Sequence, residues 1–504
     1  MRRFPRGPLA LLLTSVSVAA CTVGPNYQRP EIALRPTYME STPVGVTPSA
    51  AASSATDSQW WAQFRDPVLT DLVTNALQQN LNIAQAVARV SQARAGLHAA
   101  DAALLPSGQI TASGSKLQQS VDTPEGRLVS GIPGFQRDAQ VYEGDLALSW
   151  EVDIFGGLRR DREMAIDEYQ ASRAGVAAAR LAVAAQVAET YIAIRGLQAR
   201  LAVAEEQVDT QRKLVDTIEL QYRKGVAAEL QLRQAEGVLA QVKSTVPSLR
   251  VGRDQALNAL DILEGAQPGT YRDRLNVAAD IPVPPAITGI GGPADLLRRR
   301  PDLIVAERKL AASNAMVGSA ISEYYPKIAL GGLLGTASTS GSNLFSGGAF
   351  QTSGIAALRW RLFDFGRVDA EIRQAKGRNA EALAAYRLAV YRASEDVEDA
   401  LSSLANREEE QATLDTGEKA LVRAQQSSMV AYKGGVVSLI EVLDADTRLL
   451  QTRDALIQAR TESARAAVAS FRALGGGWEA PAIARRDTPT KPALGSEPIA
   501  RTEP

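Results

Sequence analysis

Between Gly157 and about Glu264 the chain carries the pattern of one very long helix folded back on itself, and this limits the possible folds more than any other feature. Val187, Ile194, Leu201, Val208, Val215 and Tyr222 recur at a strict spacing of seven, with Leu197, Ala204 and Ile218 three or four residues away on the same stripe. A seven-residue apolar repeat keeps one seam of a helix facing a partner helix over many turns. From Leu158 to Arg223 there is no proline, and Ala, Arg, Glu, Gln and Leu dominate, so nothing interrupts the helix. At ~1.5 Å per residue the spacing predicts a rod about 100 Å long. Lys224-Gly225 supplies a stop, and a second Ala/Leu/Gln-rich helix leaves near Glu229. No compact domain needs a rod of that length.

The rod occurs twice. A shift of 210 places Trp150-Glu-Val-Asp-Ile-Phe155-Gly156 on Trp360-Arg-Leu-Phe-Asp-Phe365-Gly366, and Tyr222-Arg-Lys-Gly225 on Tyr432-Lys-Gly-Gly435. A shift of 220 places Ala76–Asn80 on Leu296–Arg300 and Pro106 on Pro326. The difference between the shifts lies between Pro106 and Trp150, so the first copy has the longer loop there. Long internal duplication sets the architecture: two tandem repeats of one unit rather than three ordinary domains in 504 residues.

A formal net charge of −1 gives no sign of a nucleic-acid partner. One cysteine, Cys21, excludes a disulfide framework and a cysteine-based zinc site. The one histidine, His98, sits in an Ala-rich helical run and reads as a surface residue, so no His-based triad or metal cluster is expected. There is no phosphate loop and no Ser or Cys in a nucleophile context. The chain is therefore read as no enzyme, with no catalytic residues, no metal and no cofactor. Five methionines do not suggest a soft-metal relay.

In chain order, residues 1–20 read as an export signal, with Arg2, Arg3 and Arg6 before an apolar run from Leu9 to Ala20 that is too short to span a membrane. Val18-Ala19-Ala20-Cys21 resembles a bacterial lipobox, which implies cleavage before Cys21 and lipidation of that residue. Thr22 rather than Asp after it, by the same resemblance, favours the outer membrane. Residues 21–65 form a lipidated tether, Pro/Ser/Thr/Ala-rich and extended. Repeat 1 spans 66–265, with Asp66 capping a helix that opens at Pro67. A Pro/Gly-rich linker covers 266–292. Repeat 2 spans 293–474, and its Arg298–Arg300 triplet reads as a solvated helix end. A loose tail follows from 475 to 504.

Between the helices the period changes to two. Gln109, Thr111, Ser113 and Ser115 alternate with Gly108, Ile110, Ala112 and Gly114. Tyr142, Leu146, Leu148 and Trp150 alternate with Glu143, Asp145, Ser149 and Glu151. In the second copy Ile328, Leu330 and Leu334 share a face, while Phe350, Ala356, Leu358, Trp360 and Leu362 oppose Ser353, Arg359 and Arg361. This is the mark of two-faced strands. At about ten residues each they cross an outer membrane when tilted, with Trp150 and Trp360 as interface aromatics. A soluble β-hairpin on a periplasmic domain carries the same weak per-strand signal. If the strands lie in lipid, four cannot close a barrel around water and no edge can stay bare, so several copies must share one barrel. Three copies give twelve strands.

Taken together these residues resemble the outer-membrane factor family, the TolC-like export ducts, and within it the lipidated NodT-type subfamily. The resemblance rests on Cys21-Thr-Val-Gly-Pro-Asn-Tyr-Gln-Arg-Pro30, Phe64-Arg-Asp-Pro-Val-Leu69, Leu296–Glu307, and the paired corners Asp153-Ile-Phe-Gly156 and Phe363-Asp-Phe-Gly366. It covers roughly Cys21 to Trp478. It implies a homotrimer, mainly α, in which a β-barrel in outer-membrane lipid continues as an α-helical tunnel into the periplasm. It also implies a periplasmic adaptor (membrane fusion protein) and an inner-membrane pump of the resistance-nodulation-division (RND) class. The function so implied is a passive exit duct for drugs or other small solutes. A duct for protein secretion shares the architecture, and a structural coiled-coil lipoprotein would explain the lipobox and heptads but not the strands.

By the same resemblance the two turns at Lys224, Gly225, Val226 and at Gly434, Gly435, Val436 are the tips that dock the adaptor. Ile440 and Asp444, one helical turn apart, match an apolar constriction and an aspartate ring at the closed entrance, with Arg448 as compensating charge. Asp444 and Asp446 also read as solvated acids in the first turn of a helix, where the dipole favours them.

Overall fold

The computed structural model describes residues 22–39, 58–287 and 290–478. The expected signal peptide and Cys21 lie outside these residues, as does the tail beyond Trp478.

Structure in the body starts with a short 3-10 turn, Trp60–Phe64, whose Trp60, Trp61 and Phe64 are buried. The Oδ1 of Asp66 then accepts the amides of Val68 (2.8 Å) and Leu69 (3.0 Å), and Pro67 opens α1 (Pro67–Gln79). After α2 (Leu81–Ala102) come β1 (Ser107–Gln118), a short α3 (Pro124–Ser130), β2 (Asp138–Val152), α4 (Gly157–Arg223) and α5 (Glu229–Leu263). The one-turn α6 (Arg272–Leu275) crosses to the second unit. There α7 (Pro293–Arg299), α8 (Pro301–Ser322), β3 (Lys327–Ser338), β4 (Phe350–Arg359), α9 (Arg367–Lys433) and α10 (Leu439–Ala473) repeat the series. The two rods are each 67 residues long, and their return helices are each 35, so the sequence duplication is a structural one, element for element. The extra residues of the first copy fall between its strands. There Thr123 Oγ1 accepts the Gly126 amide, and Pro124 starts a short helix within the expected loop.

The four strands form one antiparallel sheet in the order β1-β2-β3-β4. Ile110 faces Leu146, Leu146 faces Leu334, and Leu334 faces Thr352, so even-numbered positions of all strands share one surface. That surface holds Ile110, Leu146, Leu148, Leu330, Leu334 and Leu358; the other holds Gln109, Thr111, Glu143, Asp145, Ser149 and Arg359. The apolar side is bare, with Ile110 82 % and Leu358 64 % exposed, as suits a face turned to lipid. Trp360 and Leu362, expected within the fourth strand, lie just past its end at Arg359. Trp150 and Trp360 are twins: the indole N–H of each donates to a carbonyl two residues before the proline at a helix–strand corner, Leu104 and Tyr324, both at 3.0 Å.

Where helices meet end to end, the two copies use the same device. Asn80, which caps α2, donates from Nδ2 to the Leu263 carbonyl at the end of α5 (2.7 Å). Arg300, its twin at the start of α8, donates from Nη1 to the Ala473 carbonyl at the end of α10 (3.4 Å). Gly265 and Gly475 follow these ends with φ of 72° and 75°. A Cβ on them would lie 2.5 Å from the Gln79 carbonyl oxygen and 3.1 Å from that of Arg299, so only glycine lets the stacked helices approach. Arg300 is therefore no solvated helix end. Its side chain is 12 % exposed and also binds Asp302 (2.8 Å) and Asp396 (2.9 Å).

Three other expectations are corrected. The stretch 22–39 is extended but not free. The Val23 amide donates to the Phe155 carbonyl (3.1 Å). Buried Arg160 donates to Val23 O (3.1 Å), Gly24 O (3.2 Å) and Asn26 Oδ1 (2.9 Å), and Tyr27 donates to buried Glu307 (2.8 Å). Peptide groups with these partners cannot detach without exposing unpaired donors and acceptors. The tail likewise begins docked, since Trp478 Nε1 donates to the Arg299 carbonyl (2.8 Å). The α4 seam also departs from the sevenfold stripe. Val187, Ile194 and Leu201 are buried, but nearer the tip Val208 and Val215 are half-buried and Tyr222 is 40 % exposed, while Ala204, Gln211, Leu214 and Ile218 face inward. A straight helix drifts ~20° per heptad, which over several heptads moves the stripe off the contact line.

Two expected outcomes follow from the packing. Leu148→Arg puts a cation on the lipid face, at about 2–4 kcal/mol near the midplane, whereas Ser149→Arg on the polar face is tolerated; equal loss of heat-stable assembly at both sites would mean the sheet is not two-faced. Glu264, fully buried at the end of α5 with neither oxygen bonded among the described residues, has its pKa raised to about 7, mainly by burial, with Arg274 opposing and Asp71 and Asp261 adding. The folded state thus holds this proton more tightly than the unfolded state does. Its contribution is complete below the ordinary value of 4.5 and is lost as pH rises towards 7. Glu264→Gln should raise the melting temperature at pH 8 and leave it unchanged at pH 4, by circular dichroism in detergent.

Candidate functional site

The long helices end side by side. α4 stops at Arg223 and is capped by Lys224, and the next residue, Gly225, takes φ of 69°. Its amide donates to Tyr222 O (2.9 Å), and the Val226 amide reaches back to Gln221 O (2.9 Å). α9 ends in the same way: Gly435 has φ of 74° and donates to Tyr432 O (2.9 Å), and Val436 donates to Ala431 O (2.9 Å). This paired closure satisfies the last carbonyls of a helix and needs a left-handed residue, which is why each turn carries glycine at that place. Each turn then presents one bare aliphatic side chain, Val226 at 77 % and Val436 at 80 % exposed. The Tyr432 hydroxyl donates to Gln221 Oε1 (3.0 Å) and ties the two turns together, so the six tip residues named from the sequence form two matched knobs at one end of the molecule.

Above the tips α10 lies against α4. Leu439 and Leu443 pack with Leu214 and Ile218, joined by Leu232 and Ala235 of α5. Ile440, Asp444 and Arg448, at successive turns of α10, lie on the opposite, open side; Ile440 is 56 % exposed. Asp444 Oδ2 takes Arg448 Nε at 2.8 Å, so the acid and its compensating cation are paired within one helix. The structure thus brings the three expected gate residues onto one surface.

Asp446 parts company with Asp444. It is 5 % exposed, well beyond the first turn of α10, and one of its oxygens has no partner among the described residues. The reading of both acids as solvated is corrected for this one. Burial pushes its carboxyl above the ordinary value, and a hydrogen bond from Gln425 opposes that shift. On α4, Gln211 is fully buried with neither amide atom bonded among the described residues. Both line a cavity of about 460 Å³ that is also lined by Arg200 and Asp454, paired at 2.7 Å. A polar layer therefore crosses the α4–α10 seam just above an apolar one. Sequence reasoning missed Gln211, although its spacing of seven from Ala204 and Ile218 placed a polar residue on a buried stripe.

These features sit on a chain whose relatives are known. The family described as outer membrane efflux protein matches residues 72–266 and 292–476. Outer membrane protein OprJ of Pseudomonas aeruginosa is 30 % identical over 489 residues, covering 95 % of this chain and 97 % of that protein. A probable outer membrane lipoprotein, SilC of Salmonella typhimurium, is 30 % identical over 480 residues, covering 93 % of this chain and 99 % of SilC. The solved outer-membrane channel OprN superposes with a TM-score of 0.80 at 32 % identity, over 91 % of this chain and 100 % of that one. The sheet excludes a purely coiled-coil lipoprotein, and the family is one of transport channels rather than enzymes. The chain belongs to the outer membrane efflux protein family and is a TolC-like exit channel of the outer membrane.

Proposed function

We propose that three copies of this chain form a lipid-anchored duct that passes drugs or other small solutes from a periplasmic adaptor and an inner-membrane pump of the RND class. The observation that carries this reading is the end of the rods: two matched glycine turns with bare valines, beside an open helix face bearing Ile440, Asp444 and Arg448. In this reading Lys224, Gly225, Val226, Gly434, Gly435 and Val436 receive the adaptor. Their aliphatic knobs suit a partner helix end, and their paired backbone makes them rigid. Cys21, two residues before the docked Val23, carries the acyl chains. The relative SilC, named a probable lipoprotein, supports the anchor, and the lipobox resemblance favours it.

The duct carries out no bond chemistry, so its mechanism is the separation of α10 from α4. Around a threefold axis three Asp444–Arg448 pairs converge. An exposed pair is worth little alone, but fields add in a narrow mouth lined by low-dielectric protein. Ile440 would narrow the same mouth with apolar bulk. Opening breaks the Leu439/Leu443 packing and admits water to Asp446 and Gln211. Burial makes Asp446 hold a proton more tightly in the closed state than in the solvated open one. Raising the pH therefore favours the open state. Facing Asp446 are Gln425 from α9 and Gln211 from α4, with the Arg200–Asp454 pair farther along the same cavity.

In planar bilayers the wild-type channel should open more often as pH rises, and Asp446→Asn should flatten that dependence; a variant that keeps the full rise would remove Asp446 from the gate. Asp444→Ala leaves three Arg448 cations unpaired and should weaken block by multivalent cations and shift selectivity towards anions. The double change Asp444→Ala with Arg448→Ala should restore the original preference. Cys21→Ser should abolish metabolic labelling with palmitate, and labelling that persists would place the lipid elsewhere.

A further inference from the structure

The cavity that holds Asp446 and Gln211 is walled by α4, α5 and α10, and its polar lining is unusually rich in lone pairs. At about 460 Å³ it lies within the range of small-ligand sites. Three of its hydroxyls have spent their protons on their own helices. Ser244 donates to Gln241 O (2.7 Å), Thr245 to Val242 O (2.8 Å) and Thr447 to Leu443 O (2.7 Å). Only their lone pairs are left for an occupant. Asp446 adds a buried carboxyl oxygen without a partner among the described residues, and Gln211 a buried amide in the same condition. The guanidinium in the lining, that of Arg200, is already engaged: its Nε and Nη2 donate to the two oxygens of Asp454 at 2.7 and 3.1 Å. Val203, Val242 and Leu249 complete the wall with aliphatic surface. The fold itself does not require this polarity. The shift of 210 that relates the two rods and their return helices puts Leu421 at the place of Gln211. At the place of Asp446 it puts Glu236, which is exposed and paired with Arg233 at 3.0 Å.

We infer that this cavity binds a small aliphatic amine in its ammonium form, with the charged nitrogen at Asp446 and the carbon chain along the aliphatic wall. An ammonium group donates three hydrogen bonds and accepts none, which complements a lining of acceptors. Its charge neutralises a carboxylate that a buried setting disfavours, as a bound proton does. Water satisfies the same oxygens but leaves that charge uncompensated. Because α4, α5 and α10 each supply part of the wall, the amine is held only while α10 lies against α4. It therefore favours the closed channel by the ratio of its affinities for the two positions. This last step rests on the gate proposed above; the site itself does not.

Titration calorimetry of the full-length protein in detergent, with diaminobutane as the probe, tests the site. The wild type should bind the diamine and ignore butanediol, which has the same length and no charge. Asp446→Asn should weaken binding by about tenfold or more, the worth of a hydrogen bond to a charged group. Gln211→Leu, which installs the residue that the second rod carries, should weaken it as well and serves if the first variant folds poorly. Asp444→Ala should bind as the wild type does, since that acid lies on the open face of α10 and is paired with Arg448. No binding to the wild type overturns the inference. So does an affinity that survives Asp446→Asn and Gln211→Leu, or one that is lost in Asp444→Ala, because the amine then sits at the open mouth. In planar bilayers the diamine should lower the open probability of the wild type and leave that of Asp446→Asn unchanged. Binding with the expected variant pattern but no effect on opening keeps the site and overturns the gate.

Discussion

A strand edge cannot stay bare in lipid. In water, unpaired backbone groups on an edge strand are merely a hazard, because solvent bonds to them. In hydrocarbon each costs several kcal/mol, and β1 and β4 together present a full row on either side of this sheet. The arrangement of the chain follows from that constraint. A unit of two strands and two helical limbs, used twice, makes a sheet too small to close. Repeating the chain about an axis is the economical closure, and it carries the helices into a ring beneath the barrel. The unpaired edges of β1 and β4, the thinly buried α2 and the exposed Phe365 are one unmet requirement seen at three heights.

The helical part meets a different difficulty. Rods of 67 residues need partners along their whole length, yet each is covered by two shorter helices placed end to end. Helix ends carry unsatisfied donors and acceptors, and abutting two of them inside protein would strand both sets. Asn80 and Arg300 resolve this at twin positions by reaching from the start of one helix to the last carbonyls of the other, over a glycine that leaves room. The chemistry differs between the copies, an amide in one and a guanidinium held by two carboxylates in the other. The Arg300 version is buried among more charge, which requires the Asp302 and Asp396 partners that the short amide does not need.

Much of this was legible before any coordinates, and the reasons are physical. Period and length survive tertiary context when a segment is long, so the rods, the duplication and the two-faced strands could be read from Val187–Tyr222 and from Gln109–Trp150. The Asp66 cap is local chemistry and was equally plain. What escaped was whatever depends on a neighbour distant in sequence. Arg300 looked like one member of a basic triplet at a helix end until α9 and α10 closed over it. The stretch after Cys21 has the composition of a tether, but Arg160 and Glu307, well over a hundred residues away, hold it down. Asp446 and Asp444 look alike in sequence, and only the placement of α4 distinguishes a buried acid from an open one.

That last distinction bears on how a duct can be both tight and able to open. A seam of leucines alone would hold α10 against α4 firmly, and each buried leucine contributes about 1.5–3 kcal/mol. Here the apolar layer of Leu214, Ile218, Leu439 and Leu443 is followed by Gln211 and Asp446, buried groups whose hydrogen-bonding capacity is largely unmet. Unpaired buried polar groups cost stability in the closed state and recover it when water enters. In the proposed gate, this layer would narrow the free-energy gap between a closed and an open position of α10 without weakening the apolar contact that defines the closed one. In the proposed mechanism a partner pressing on the valine turns would have only the difference to overcome, and the burial of the Asp446 carboxyl would tie that difference to pH.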